Sequence, residues 1–144
     1  MNDNRPPDCA IFLLAKAYQR GHGLIKSLLK PYGLTNMQHL VLEGVWYREG
    51  CTSADLGRML VLDKATLSGV IDRLCEADWL ERREMAGDKR SYRLYSSEKA
   101  RDAKQELIEL RQQANDELLS SFSLEERLLF KRLLWDLMGP NEFR

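Results

Sequence analysis

Apolar residues recur along the chain at two periods, and the change from one to the other divides it. Over residues 9–30, Ile11, Leu14, Ala15, Tyr18, Ile25, Leu28 and Leu29 follow steps of three, four and seven, which is one face of an amphipathic helix. Pro31 and Gly33 end that run. Thr35 followed by Gln38 is a capping-box pattern, and it opens a second periodic stretch through Met37, Leu40, Val41, Val45 and Trp46. Gly50 interrupts. Thr52 or Ser53 can then cap a short third helix with Leu56, Met59 and Leu60 inside, and Asp63 caps a fourth that runs to about Ala77. After that the period shortens: residues 80–85 and 91–95 alternate as strands do, and Ala86-Gly87-Asp88 between them predicts a β-hairpin. Helical spacing returns with Ala100, Ala103, Leu107, Leu110 and Ala114, a seam along a helix over roughly 98–121 that packs on a partner helix. Ser123 with Glu126 is another capping box, and Leu124, Leu128, Leu133, Leu134 and Leu137 line a last helix ended by Gly139-Pro140. The predicted fold is mainly α with one small β-hairpin, in the order four helices, hairpin, two helices.

Composition narrows the class. With 144 residues, 44% hydrophobic and 31% charged, the chain suits one ordinary globular domain. Its apolar stretches fall far short of the roughly 20 residues a membrane span needs. The N-terminal residues lack the charged-then-apolar order of a secretory signal, so a cytoplasmic location is expected. Cys9, Cys51 and Cys75 are odd in number and share no CxxC spacing, which argues for reduced thiols and against a disulfide framework or structural zinc. No Gly-rich phosphate loop, HExxH or GxSxG pattern occurs, so neither an enzyme nor a cofactor is expected. The 22 basic residues balance 22 acidic ones, so any nucleic-acid binding has to be local. Between Trp79 and Arg93 five basic residues outnumber three acidic ones.

On a wheel of about 100° per residue, Leu67, Val70, Ile71 and Leu74 of the fourth helix share one side. The other side carries Ala65, Thr66, Ser68, Gly69, Asp72 and Arg73, a face of small and hydrogen-bonding side chains that can lie close to base edges in a major groove. Asp72 opposes that reading unless an arginine neutralises it. The hairpin tip, Gly87-Asp88-Lys89-Arg90, offers cations suited to phosphates or to a minor groove, and Asp88 could aim Arg90 through a short ion pair. A short helix, a tight turn at Val61-Leu62, a small-faced second helix and a basic hairpin form one contiguous winged helix-turn-helix. A winged helix used only for protein contacts is the alternative, and zero net charge suits it.

Gly33-Leu34-Thr35 with Gln38, Asp72-Arg73-Leu74, Trp79-Leu80-Glu81-Arg82 and above all Asp88-Lys89-Arg90 resemble the multiple-antibiotic-resistance repressor (MarR) family, over nearly the whole chain. The resemblance implies a single domain over 1–144, with a DNA-binding lobe at about 35–96 and dimerisation helices at about 8–30 and 98–138. It implies a homodimeric, ligand-responsive repressor on a palindromic duplex operator, with residues 64–77 in the major groove and Arg90 in the minor groove. The candidate DNA contacts are Ser53, Lys64, Ala65, Thr66, Ser68, Gly69, Arg73, Lys89, Arg90 and Arg93. Two positions depart from the family pattern: Asp78 stands where glycine is common, and Ser96-Ser97-Glu98-Lys99-Ala100 replaces the usual junction after the wing. Many relatives respond to a small aromatic or phenolic effector, for which Tyr18, His22, His39 and Trp46, with Tyr47, are candidate lining residues, although core packing is the stronger reading of such residues at helical spacing. Cys9 invites comparison with relatives that sense oxidants, although their sensor position falls on Ile11. His22 and His39 lack the neighbours of a metal site.

Overall fold

The computed structural model describes residues 7–140, the Lys89 side chain excepted. Helix α1 (Ala10–Leu29) starts at Cys9, whose Sγ accepts from the Phe12 N–H, and ends in a single 3₁₀ turn, Lys30–Tyr32. Helix α2 (Asn36–Tyr47) opens on the expected Thr35/Gln38 box, with reciprocal bonds of 3.2 and 2.8 Å. In front of α3 (Ser53–Leu60) the cap is Thr52, boxed with Asp55, so Ser53 is the first helical residue. Helix α4 (Lys64–Glu76) begins at Asp63, and strands β1 (Leu80–Met85) and β2 (Asp88–Ser96) form an antiparallel hairpin. Helices α5 (Glu98–Leu118) and α6 (Leu124–Met138) complete the chain, the latter with the Ser123/Glu126 box in place.

Helix α2 runs through the middle. Its Val41, Leu42 and Val45 are fully buried against Leu56 of α3, Leu67, Ile71 and Leu74 of α4, Leu94 of β2, and Ala100 and Leu107 of α5. Each such aliphatic side chain contributes about 1.5–3 kcal/mol by leaving water, so α4 is held by its inner stripe and its outer face is left for other work. Ile25 and Leu29 carry α1 onto the same core. Helix α6 has no buried residue, and the first half of α1 is exposed.

Two expectations need correcting. Helix α5 stops at Leu118 instead of residue 121, because Leu119 turns inward to 4% exposure and its N–H closes the helix on Asn115 and Glu117 carbonyls. Strand β2 starts at Asp88 instead of Ser91: a two-residue turn, Ala86-Gly87, pairs Met85 with Asp88, while Glu84 pairs with Tyr92. The register therefore slips, and residues 89–91 bulge from the ladder.

Candidate nucleic-acid interface

Asp63 fixes the start of α4 by accepting from the Thr66 N–H (2.8 Å) and the Thr66 hydroxyl (2.6 Å), which holds its carboxyl below the usual range. Thr66 thus spends its hydroxyl hydrogen inside the cap and presents a methyl group and an acceptor oxygen. Lys64, Ala65, Ser68, Gly69 and Arg73 are all exposed, as the wheel requires, and Leu67, Ile71 and Leu74 are buried. Asp72 is ion-paired with Arg82 of β1, so the one acidic residue on this face is neutralised from the wing. Arg82 also lies over the Tyr92 ring, 5.0 Å from its centroid.

Asp88 does orient the bulge, though by a contact other than the expected one. Its carboxylate accepts from the Arg90 backbone N–H (2.9 Å) and from the Ser91 hydroxyl (2.8 Å) rather than from the Arg90 guanidinium. The first of these bonds holds the Asp88 carboxyl below the usual carboxylate range. Such an Asx-type turn fixes the backbone and leaves the exposed Arg90 side chain to point outward. Lys89, a predicted contact, has its side chain outside the described residues. Arg93 is placed elsewhere: its guanidinium donates to the Gly50 carbonyl at 2.7 Å and pins the base of the hairpin.

The wing is fastened to the helix-turn-helix by more than Arg93. Gly50 N–H donates to Leu94 O (2.8 Å), Leu94 N–H to Cys51 O (2.9 Å), and Glu49 accepts from the backbone and hydroxyl of Ser96. Gly50 itself sits at φ +77°, and a Cβ there would meet the Tyr95 hydroxyl at 2.8 Å. At the other end, Asp78 adopts φ +58°, the left-handed conformation a glycine would favour, and its carbonyl accepts from Ser97 Oγ at 2.7 Å. Lys99 donates to Ala77 O and lies 4.4 Å above the Trp79 ring, so the divergent junction after the wing is tied to the end of α4.

Between α3, α4 and the hairpin lies a concave groove of about 720 Å³ whose walls carry Ser53, Lys64, Ser68 and Arg90. These four predicted contacts therefore face one concavity, and Arg58, which sequence reasoning passed over, joins them. Its place on the exposed side of α3, two residues after Leu56, was the available signal.

A second cavity, about 520 Å³, opens between α1, α5 and α6. Of the expected effector contacts only Tyr18 and His22 line it, their rings 5.6 Å apart. His39 (0% exposed) and Trp46 (8%) are instead part of the packed interior around α2, and Tyr47 is exposed outside the cavity. Burial first, and the Arg111 charge second, depress the His39 pKa to about 4, so the ring is neutral. Its Nδ1 accepts from Arg111 Nη2 at 2.7 Å. Arg111, Asn36 and Asn115 are polar lining residues the sequence reading missed. Arg111 lies four residues after Leu107 and three before Ala114, a charge on the apolar seam, and that was the signal. Cys9 is exposed, Cys75 half-buried and Cys51 buried, with burial pushing the Cys51 thiol up to about 11. Among the described residues no group of three or more His, Cys, Asp or Glu could hold a metal, and no helix is long and apolar enough to cross a membrane.

This architecture has close parallels. A MarR-family model matches residues 32–91, from the end of α1 through the wing bulge. The HTH-type transcriptional regulator TtmR of Methylorubrum extorquens is 32% identical over 95 residues, covering 66% of this chain and 47% of its own length, so the chain spans about half of that relative. A probable transcriptional regulator from Pseudomonas aeruginosa superposes with a TM-score of 0.82 at 28% identity, over 90% of this chain and 97% of that one. The Bordetella bronchiseptica protein BpsR, whose DNA binding is regulated by 6-hydroxynicotinic acid, gives 0.81 at 24% identity, over 89% and 97%. A mutant MarR from E. coli in complex with operator DNA gives 0.80 at 23%, over 88% and 91%; these last two show the shared fold. The winged helix-turn-helix, the Asp88-anchored wing and the family match over residues 32–91 agree, so this lobe of the chain is similar to the MarR family.

Proposed function

We propose that the protein is a sequence-specific, DNA-binding transcription repressor, acting in the cytoplasm as a homodimer and released by a small aromatic effector. The observation that carries the DNA reading is the groove in which Ser53, Lys64, Ser68 and Arg90 converge, with the small exposed face of α4 beside it. Residues 64–77 enter the major groove, where Ser68 and Arg73 reach base edges and Gly69 allows close approach. Arg90, on its Asp88-held bulge, enters the adjacent minor groove, whose negative potential attracts arginine.

The dimer is supported by apolar surface that one chain leaves uncovered. Leu124, Leu128, Leu129, Leu133 and Leu137 on α6 are 45–70% exposed, and Ile11 and Leu13 on α1 are 82% and 51% exposed. A terminal helix with no buried residue needs a second copy to hold it, and two-fold symmetry suits a palindromic operator. The effector reading is supported by the cavity between α1, α5 and α6, mostly apolar with a few convergent polar groups.

Selection of bound fragments from genomic DNA, followed by titration at several salt concentrations, tests the reading. A palindromic site bound by a dimer, with affinity falling steeply as salt rises, is expected. Arg90→Ala should weaken every sequence, whereas Ser68→Ala should relax the choice among sequences. A protein that binds no duplex at about 50 mM salt, where phosphate contacts are strong, would be the protein-contact module instead.

A further inference from the structure

Strand β2 ends at Ser96 and α5 starts at Glu98, so one residue, Ser97, carries the chain out of the reading lobe and into the long helix. Ser96 and Ser97 are 1% and 2% exposed. The Ser96 N–H donates to Glu49 Oε2 (3.0 Å), the Ser96 hydroxyl donates to Glu49 Oε1, and the Ser96 carbonyl accepts from Arg101 Nη1 (2.5 Å). The Ser97 N–H donates to Trp79 O (3.1 Å), and its Oγ donates to Asp78 O (2.7 Å) while accepting from the Ala100 N–H (3.1 Å). Glu49 comes from the loop between α2 and α3, Asp78 and Trp79 from the turn after α4, and Arg101 from the first turn of α5. Segments far apart in sequence thus close on two buried serines. A carboxylate offers only acceptors, so Glu49 takes both Ser96 donors at once.

Bending the chain at this joint would leave buried donors and acceptors without partners, the costliest way to lose a hydrogen bond. The joint therefore does not hinge, and α5 turns with the reading lobe as one body. With 21 residues, α5 is a lever about 31 Å long. A tilt of about 10° at its root would swing the far end by about 5 Å, more than the roughly 3.4 Å between neighbouring base pairs. We propose that Glu49 is a positioning residue for operator choice: by holding Ser96 it locks α5 to the reading lobe, so that the two lobes of the dimer accept half-sites at one separation only. This rests on the reading of the protein as a dimer on a two-fold operator, and it names the side chain that sets the spacing.

The test measures binding of the full chain to three duplexes: the symmetric site recovered from genomic DNA, the same site with one base pair inserted at its centre, and a single half-site. The insertion moves one half-site by about 3.4 Å and turns it by about 35°. With the joint locked, both lobes cannot engage the inserted site, and the unaltered protein should lose about a hundredfold, down to its affinity for the half-site. Glu49→Ala should bring that loss below about tenfold, read as the ratio between the two full sites so that any common weakening cancels. A role for Glu49 in stability alone would weaken all three duplexes alike and leave the ratio unchanged. Arg101→Gln removes the partner of the Ser96 carbonyl from an exposed position and should relax the ratio in the same direction, which keeps the test in hand if Glu49→Ala folds poorly. If the folded variants keep the full loss, or the unaltered protein tolerates the insertion, the lock is refuted and the DNA-binding reading stands. If no duplex binds, that reading falls and the lock falls with it.

Discussion

Gly69→Ala should make the protein more stable and, if α4 enters the major groove, a poorer DNA binder. Gly69 lies in the middle of α4, and a Cβ built on it meets nothing within 4 Å. Glycine inside an exposed helix costs about 0.8–1 kcal/mol relative to alanine, so the substitution should stabilise the fold by about that amount. For a chain of 144 residues the unfolding entropy is about 0.3 kcal/mol per degree, which converts 1 kcal/mol into a rise of about 3 °C in Tm. Nothing inside the molecule asks for a glycine here, so the reason for one lies outside it. Pressing a methyl group into a surface that has no clearance costs about 1–3 kcal/mol, or roughly fivefold to more than a hundredfold in Kd for each half-site. Differential scanning fluorimetry gives the first number, and fluorescence anisotropy on a labelled operator gives the second. A variant that melts higher and binds DNA as tightly as before would refute the close approach of α4. A variant that melts lower would refute the claim of open space.

Asp88→Ala removes both acceptors that shape the wing bulge; operator affinity should fall toward that of Arg90→Ala while the melting temperature changes little, since the turn is exposed. Val61 closes the turn between α3 and α4 at φ +54°, which costs a β-branched residue about 1–2 kcal/mol, so Val61→Asn should stabilise by about 1 kcal/mol in a denaturant titration. His39 has a folded-state pKa near 4 against 6.5 for the free side chain. As pH falls below 6.5 the unfolded chain takes up a proton that the folded one refuses, so stability drops by roughly 3 kcal/mol in all, and the drop is complete near pH 4. Glu43, with its pKa raised, works in the opposite sense and offsets part of that loss. Urea unfolding at pH 7 and pH 4.5 should therefore show a smaller difference in His39→Gln than in the unaltered protein.

Much of the helical frame was legible because its signals are local. The Thr35/Gln38 and Ser123/Glu126 boxes set two helix starts, and Asp63 set a third, since a capping side chain bonds a backbone group three residues away. Thr52 and Ser53 were left as equal candidates although Asp55, three residues after Thr52, distinguishes them. What escaped depends on contacts between distant parts of the chain. Alternation could not reveal that Asp88 would bind the backbone at Arg90 and start β2 three residues early. Nor could it reveal that Arg93 would reach back 43 residues to Gly50. Aromatic and histidine residues at helical spacing read more readily as core than as cavity lining, and the central position of α2 places His39 and Trp46 in the interior, while spacing alone could not separate Tyr18 and His22 from them. The most informative residue of the second cavity, Arg111, was hidden inside an otherwise apolar repeat.

The bonds joining Gly50 and Cys51 to Leu94 make the hairpin an extension of the helix-turn-helix. A reading head built in one piece holds the distance from α4 to Arg90 constant. In the proposed complex, a duplex whose groove spacing does not suit that distance must itself bend or narrow. Sequence preference would then extend to base pairs that no side chain touches, through the stiffness of the DNA between the two grooves.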